Sequence, residues 1–175
     1  MKNSQQGFTL IELITVIVLL GILSAFAISR FPSSQSYSTT VIKNQLIASI
    51  RLAQQTALSR ASVDRSTNSS SLQTQLQITR DSDNWSLNIT SGPISHNAQV
   101  KRSNETVYYG TNTSASCSAL TASTSIPLTL IFDGDGNRVP ATALRICINT
   151  PSSSTADVEL CISPSGYVYE GICAS

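Results

Sequence analysis

Residues Phe8 to Ser29 read FTLIELITVIVLLGILSAFAIS, a 22-residue run in which Glu12 is the only charge. At about 1.5 Å per helical residue the run extends roughly 33 Å, enough to cross the hydrocarbon layer of a bilayer. Its sequence predicts a membrane-crossing helix. The short polar stretch MKNSQQG precedes it, and Lys2 there favours the cytoplasmic side. Everything C-terminal of the run is then expected outside, with Arg30 snorkelling into the outer headgroups. A secretory signal peptide has a shorter apolar region followed by small residues at a cleavage site. Ser24-Ala25-Phe26-Ala27 is a poor version of such a site. A plain signal anchor would require nothing special near Gly7. Neither reading accounts for a carboxylate five residues into the apolar run. An ionisable group in a membrane helix is costly, and so points to a function.

The run Gly7-Phe8-Thr9-Leu10-Ile11-Glu12-Leu13 resembles the GFTLIEL processing motif of type IV prepilins and type II secretion pseudopilins. The resemblance implies that prepilin peptidase cuts between Gly7 and Phe8 and then N-methylates Phe8. Gly7 has no side chain to obstruct a protease, and a cut there leaves the apolar helix whole. Glu12 is implied to attract the N-terminal amine of a neighbouring subunit. In apolar surroundings that pairing offsets the desolvation of both charges, and its main contribution is the choice of docking register. Thr9 and Gly21 match the family's habits. Many major pilins have a proline at the position of Ser29, whereas the nearest here is Pro32, so the usual mid-helix kink is not implied. The implied partners are other major and minor pilins through the N-terminal helix, prepilin peptidase, the inner-membrane pilus assembly platform, and lipid before assembly. The implied location is the inner membrane, single-pass with a periplasmic head, and then a cell-surface pilus.

Beyond the apolar run, Tyr37 to Ala61 reads as a helix. Ile42, Leu46, Ile50, Ala53, Ala57 and Ala61 recur at three- and four-residue spacing, with Lys43, Arg51 and Arg60 off that line. The alanine end of the stripe would let a sheet approach closely. Pro32-Ser33-Ser34 can bend the junction, since proline removes a helical donor and restricts its neighbour. After Ala61 the period becomes two. Leu72, Thr74, Leu76 and Ile78 alternate with glutamines, and Trp85, Leu87 and Ile89 follow, joined through a hairpin at Arg80 to Asn84. Further runs end at Phe132, Ile148 and Ile162, with an edge strand at Tyr167-Val168-Tyr169 and a short one at Thr106 to Tyr109. The rest of Gly92 to Ser125 reads as irregular. One-sided alternation predicts an antiparallel sheet with one face on the helix. The expected class is α+β, type IV pilin-like. Its expected parts are a leader at 1–7, a membrane and filament-core half-helix at 8–31, an amphipathic half-helix at 32–62 and a β-rich head at 63–175.

The order of these elements resembles pseudopilin H and FimT-like minor pilins, and also a minor pilin of a mannose-sensitive haemagglutinin-type pilus. The stretches that carry it are Arg51 to Ala57, Leu130-Ile131-Phe132-Asp133-Gly134-Asp135-Gly136, and Ile162-Ser163-Pro164-Ser165-Gly166. An even count of cysteines in an exported head reads as two disulfides. Cys161 with Cys173 would close a short C-terminal loop like that common in pilins, leaving Cys117 with Cys147. A cross-strand bond between Cys147 and Cys161, which flank one hairpin, is the alternative. A zinc site is disfavoured, because no Cys-x-x-Cys pair occurs and His96 is the only histidine.

Asp133, Asp135 and Asn137 offer oxygens at alternate positions like the start of a calcium loop, but the distal glutamate position holds Leu144. The same residues are ordinary hairpin chemistry. Arginines follow the C-terminal glycine in FimT-like DNA receptors; Gly166 is followed here by Tyr167, Val168 and Tyr169, which argues against DNA. A net charge of +1 gives no general attraction to nucleic acid or anionic lipid. No acid–base pair or nucleophile elbow stands out, so neither catalysis nor a cofactor is expected. The function expected is that of a minor type IV pilin in an initiating or tip complex. The alternatives are pseudopilin H of a type II secretion system and a tip adhesin or DNA receptor.

Overall fold

The structure, a computed structural model, describes residues 9–28, 34–61, 73–103, 105–111, 117, 126–149 and 158–173. Gly7, Phe8, Arg30, Pro32 and Leu72 lie outside them. The chain divides into two compact units, Met1–Ser33 and Ser34–Ser175. In the first, helix α1 spans Leu10–Ile28. In the second, helix α2 spans Ser34–Ala61 and the strands are β1 Thr74–Arg80, β2 Asn84–Ser91, β3 Ile94–Lys101, β4 Thr106–Gly110, β5 Leu128–Phe132, β6 Arg138–Val139, β7 Leu144–Asn149, β8 Val158–Ile162 and β9 Val168–Glu170.

The strands form two antiparallel sheets rather than the one expected. Their orders are β3-β2-β1-β5-β6 and β4-β7-β8-β9. Helix α2 packs on both. Its stripe is the one read from the sequence: Ile42, Leu46, Ile50, Ala53 and Ala57 are all buried. From the first sheet Leu76, Ile78, Trp85, Leu87, Leu130 and Phe132 meet it, and from the second Ile146, Ile148, Leu160 and Val168 join the same core. Each fully buried Leu or Ile contributes about 1.5–3 kcal/mol relative to exposure. The strict alternation of β1, with Gln75 and Gln77 exposed between buried neighbours, turns one face inward and one to water. Trp85 to Ile89 pair with β1 through a hairpin at Asp81 to Asp83, as the sequence predicts.

Two strands were not legible. β3 falls in the stretch read as irregular, because its inward positions are Ile94, His96, Ala98 and Val100 and an edge strand needs little apolar character. β6 is two residues long and ends at Pro140.

The two sheets are locked to each other by a pair of turns built alike. In Asp133 to Asn137 the first amide donates to the fifth carbonyl at 2.9 Å, and the amide of Gly136 donates to the carbonyl of Asp133 at 3.0 Å. In Ser163 to Tyr167 both equivalent bonds are 2.9 Å, with Gly166 in the fourth place. Both glycines have positive φ, 76° and 80°, a region closed to most side chains. Gln54 of α2 reaches between the turns. Its Nε2 donates to the carbonyl of Gly136 at 3.2 Å and to that of Ser165 at 2.8 Å. The amide of Arg138 adds a bond from one sheet to the other, donating to Pro164 at 2.9 Å. One glutamine thus ties the helix to a hairpin of each sheet.

Candidate assembly segment and polar sites of the head

The first turn of α1 is capped by Thr9. Its Oγ1 accepts the amide of Glu12 at 3.3 Å, and its carbonyl accepts the amides of Glu12 and Leu13 at 3.1 and 3.3 Å. Threonine at this position satisfies donors that have no partner within the helix. Glu12 therefore sits in the first helical turn, where the helix dipole favours an anion. The other polar side chains of α1 are turned onto its own backbone. Thr15 Oγ1 donates to the carbonyl of Glu12 at 2.8 Å and Ser24 Oγ to that of Gly21 at 2.9 Å.

The remaining surface of α1 is apolar on every side. Leu10, Ile11, Leu13, Ile17, Leu19, Leu20 and Leu23 are all more than half exposed. A helix apolar all round belongs in a membrane or in the core of a larger assembly. Among the described residues no helix is long and apolar enough to cross a membrane. Among the described residues Glu12 makes no ion pair; the one such pair joins Lys43 to Glu170 at 3.1 Å.

In the head, the Asp133 to Asn137 oxygens serve the turn. Asp133 Oδ1 accepts the amides of Asp135 at 3.0 Å and Asn137 at 2.8 Å, which is the hairpin role read from the sequence. Among the described residues no three His, Cys, Asp or Glu side chains converge to hold a metal ion. Tyr167 and Tyr169 stack on each other with ring centroids 6.2 Å apart. His96 is exposed on β3.

The cysteines form Cys117–Cys147 and Cys161–Cys173, with Cα separations of 5.8 and 5.1 Å. The cross-strand alternative fails on register. Cys161 lies opposite Arg145 and Cys147 opposite Glu159, so the two sulfurs are diagonal rather than paired. Both bonds stand on the face of the second sheet turned away from α2. They hold the residue at 117 and the C-terminal end against it.

One polar site of the head is formed by residues that the sequence does not bring together. Glu105 is 1 % exposed, and its Oε2 accepts the amide of Ser103 at 2.8 Å. Burial works to raise its pKa. Hydrogen bonding from Ser38 of α2, from the Ser103 amide and its own, and the nearby Trp85 indole outweigh that and hold the carboxyl below its ordinary value. Trp85 is itself fully buried, with the Arg102 guanidinium 5.5 Å from its ring centroid. Arg102 in turn donates to the carbonyl of Asp81 at 2.8 Å, which braces the β1–β2 turn. The sequence carried no signal for this site beyond an acid next to a strand, because Ser38, Trp85 and Glu105 are brought together only by the fold.

A carboxyl whose folded pKa is depressed adds stability above its unfolded value and loses it as pH falls through the folded value. Glu105 therefore stabilises the head fully above the usual value of about 4.5, and acid removes that contribution. Urea unfolding of residues 34–175 at pH 7 and pH 3 should show a smaller acid-induced loss in Glu105→Gln than in the parent. Equal losses would show that Glu105 does not hold its charge on folding.

The family model for the prokaryotic N-terminal methylation motif matches residues 2–28. No curated protein and no solved structure matches the chain. The matched residues include Thr9, Glu12 and the whole of α1, and the motif is by name one of N-terminal methylation.

Proposed function

We propose that the chain, whose residues 2–28 match the N-terminal methylation motif, is a type IV prepilin-like protein and a minor pilin, processed at Gly7–Phe8 and built into a pilus as part of an initiating or tip complex. The observation that carries this reading is α1, a capped helix apolar on every side with a single carboxylate in its first turn. Before assembly the helix spans the inner membrane with the head in the periplasm, and after assembly it lies in the filament core. Both settings are apolar, so the same surface serves each.

Prepilin peptidase removes residues 1–7 and methylates Phe8. The new amine of one subunit pairs with Glu12 of a neighbour, and the pairing selects axial register, since a misplaced carboxylate stays buried and unpaired. The protein performs no catalysis; it is a substrate of the peptidase and a component of the filament. The head, tied to α2 by Gln54 and closed by two disulfides, is built for the oxidising side of the membrane.

Glu12→Gln is expected to be processed normally yet to be absent from sheared surface filaments, with at least about a tenfold drop in incorporation, the equivalent of about 1.4 kcal/mol. Immunoblots of the sheared and membrane fractions measure it. Normal incorporation of the variant would remove Glu12 from the assembly mechanism. If the wild-type chain co-purified with a protein secretion apparatus and never with pili, the pilus reading would give way to the pseudopilin one.

A further inference from the structure

On the face of the first sheet turned away from α2, strands β1, β2 and β3 present uncharged amides and hydroxyls, with Ile131 and Val139 at the β5–β6 edge. The central row of the face, read across four strands, is Thr129, Gln77, Asn88 and Asn97. Gln75 and Gln99 flank that row on β1 and β3. All but the half-buried Asn88 are exposed. Among the described residues none of these five side-chain amides has a hydrogen-bond partner. Charges enter only at one end of the face, with Lys101 opposite Asn84. Solvated faces of small domains commonly carry charged residues of both signs; this one carries none across its centre.

We propose that this face binds a neutral polysaccharide lying across the strands. An uncharged ligand rich in hydroxyls needs many paired donors and acceptors and gains nothing from fixed charge. Amide side chains supply one of each at every position. Strands stand about 4.8 Å apart, so alternate strands repeat at roughly 9.6 Å, close to the length of a disaccharide in an extended chain. With Lys101 at one end of the face and no charge across its centre, nucleic acid and anionic glycans, which depend on charge neutralisation, are disfavoured. Rigidity helps as well: the amides stand on a sheet whose other side is the packed core, so little backbone freedom is lost on binding. The proposal goes beyond filament assembly and does not depend on it, since α1 and Glu12 take no part.

The test uses the full chain in a zwitterionic detergent, co-sedimented with crystalline cellulose, with chitin and with anionic alginate. The expected result is saturable binding to cellulose or chitin that persists in salt up to about 0.5 M, where exposed charge interactions are screened, and no binding to alginate. Gln77→Lys with Asn97→Lys should weaken it at least about tenfold, whereas Gln55→Lys on the exposed side of α2 should not. Circular dichroism of the double variant establishes that it is folded. No sedimentation above that of serum albumin, or equal binding by the double variant, would overturn the proposal. Concentration-dependent sedimentation without any polysaccharide, lost in the double variant, would overturn it in favour of pairing between copies through this face. Failure of either kind leaves the Glu12 incorporation result untouched, so the two readings fail separately.

Discussion

Gly166→Ala is expected to destabilise the head by about 2–5 kcal/mol, combining roughly 1–2 for a left-handed non-glycine residue with about 1–3 for overpacking. Gly166 has a φ of 80°, and an added Cβ would run into the carbonyl of Gly136, the amide of Gln54 at 2.9 Å and Phe132 at 3.2 Å. Two of those neighbours are the atoms by which Gln54 joins the sheets, so neither can give way without breaking a hydrogen bond. Gly171→Ala is the matched control. It has a φ of 113°, but nothing lies within 4 Å of the added atom, so only the backbone term applies. Urea unfolding of residues 34–175, which hold their own core and both disulfides, measures both. A Gly166→Ala cost no larger than that of Gly171→Ala would refute the close packing of the two turns.

Reduction of both disulfides is expected to have a comparable effect. The bonds close loops with sequence separations of 30 and 12 residues, and each contributes about 2–4 kcal/mol by restricting the unfolded chain. Together they approach the whole stability of an ordinary small domain, about 5–15 kcal/mol. Strong reductant should therefore lower the unfolding midpoint sharply or unfold the head outright at 37 °C. The longer loop should matter more, so Cys117→Ser with Cys147→Ser is expected to cost somewhat more than Cys161→Ser with Cys173→Ser. Unchanged midpoints in reductant would mean that the core alone carries the fold.

The features legible in the sequence were those written in local periodicity. Ile42, Leu46, Ile50, Ala53 and Ala57 announce the buried face of α2 because a helix places them on one side whatever it meets. Leu76 and Ile78 announce β1 in the same way, with their alternation imposed by the pleat. β3 escaped because an edge strand borrows its order from β2 and has few apolar residues of its own. The division into two sheets escaped because period-two patterns show which residues face inward and say nothing of which strands pair. The candidate site divides along the same line. Glu12 stands out as one charge in an apolar run, which composition alone exposes. Glu105 does not, since its burial under Ser38 and beside Trp85 arises from residues far apart in the chain. Gln54 looked like any polar residue on a helix, and only the meeting of two turns gives it its role.

The central claim is that the chain is a processed prepilin, and the mass of its N-terminal peptide from native membranes and sheared filaments tests it most directly. The chain is expected to begin at Phe8 carrying one N-methyl group, with the MKNSQQG leader absent. A chain that retains Met1 in both fractions, or one cut beyond Ala27 at a signal-peptidase site, would contradict it.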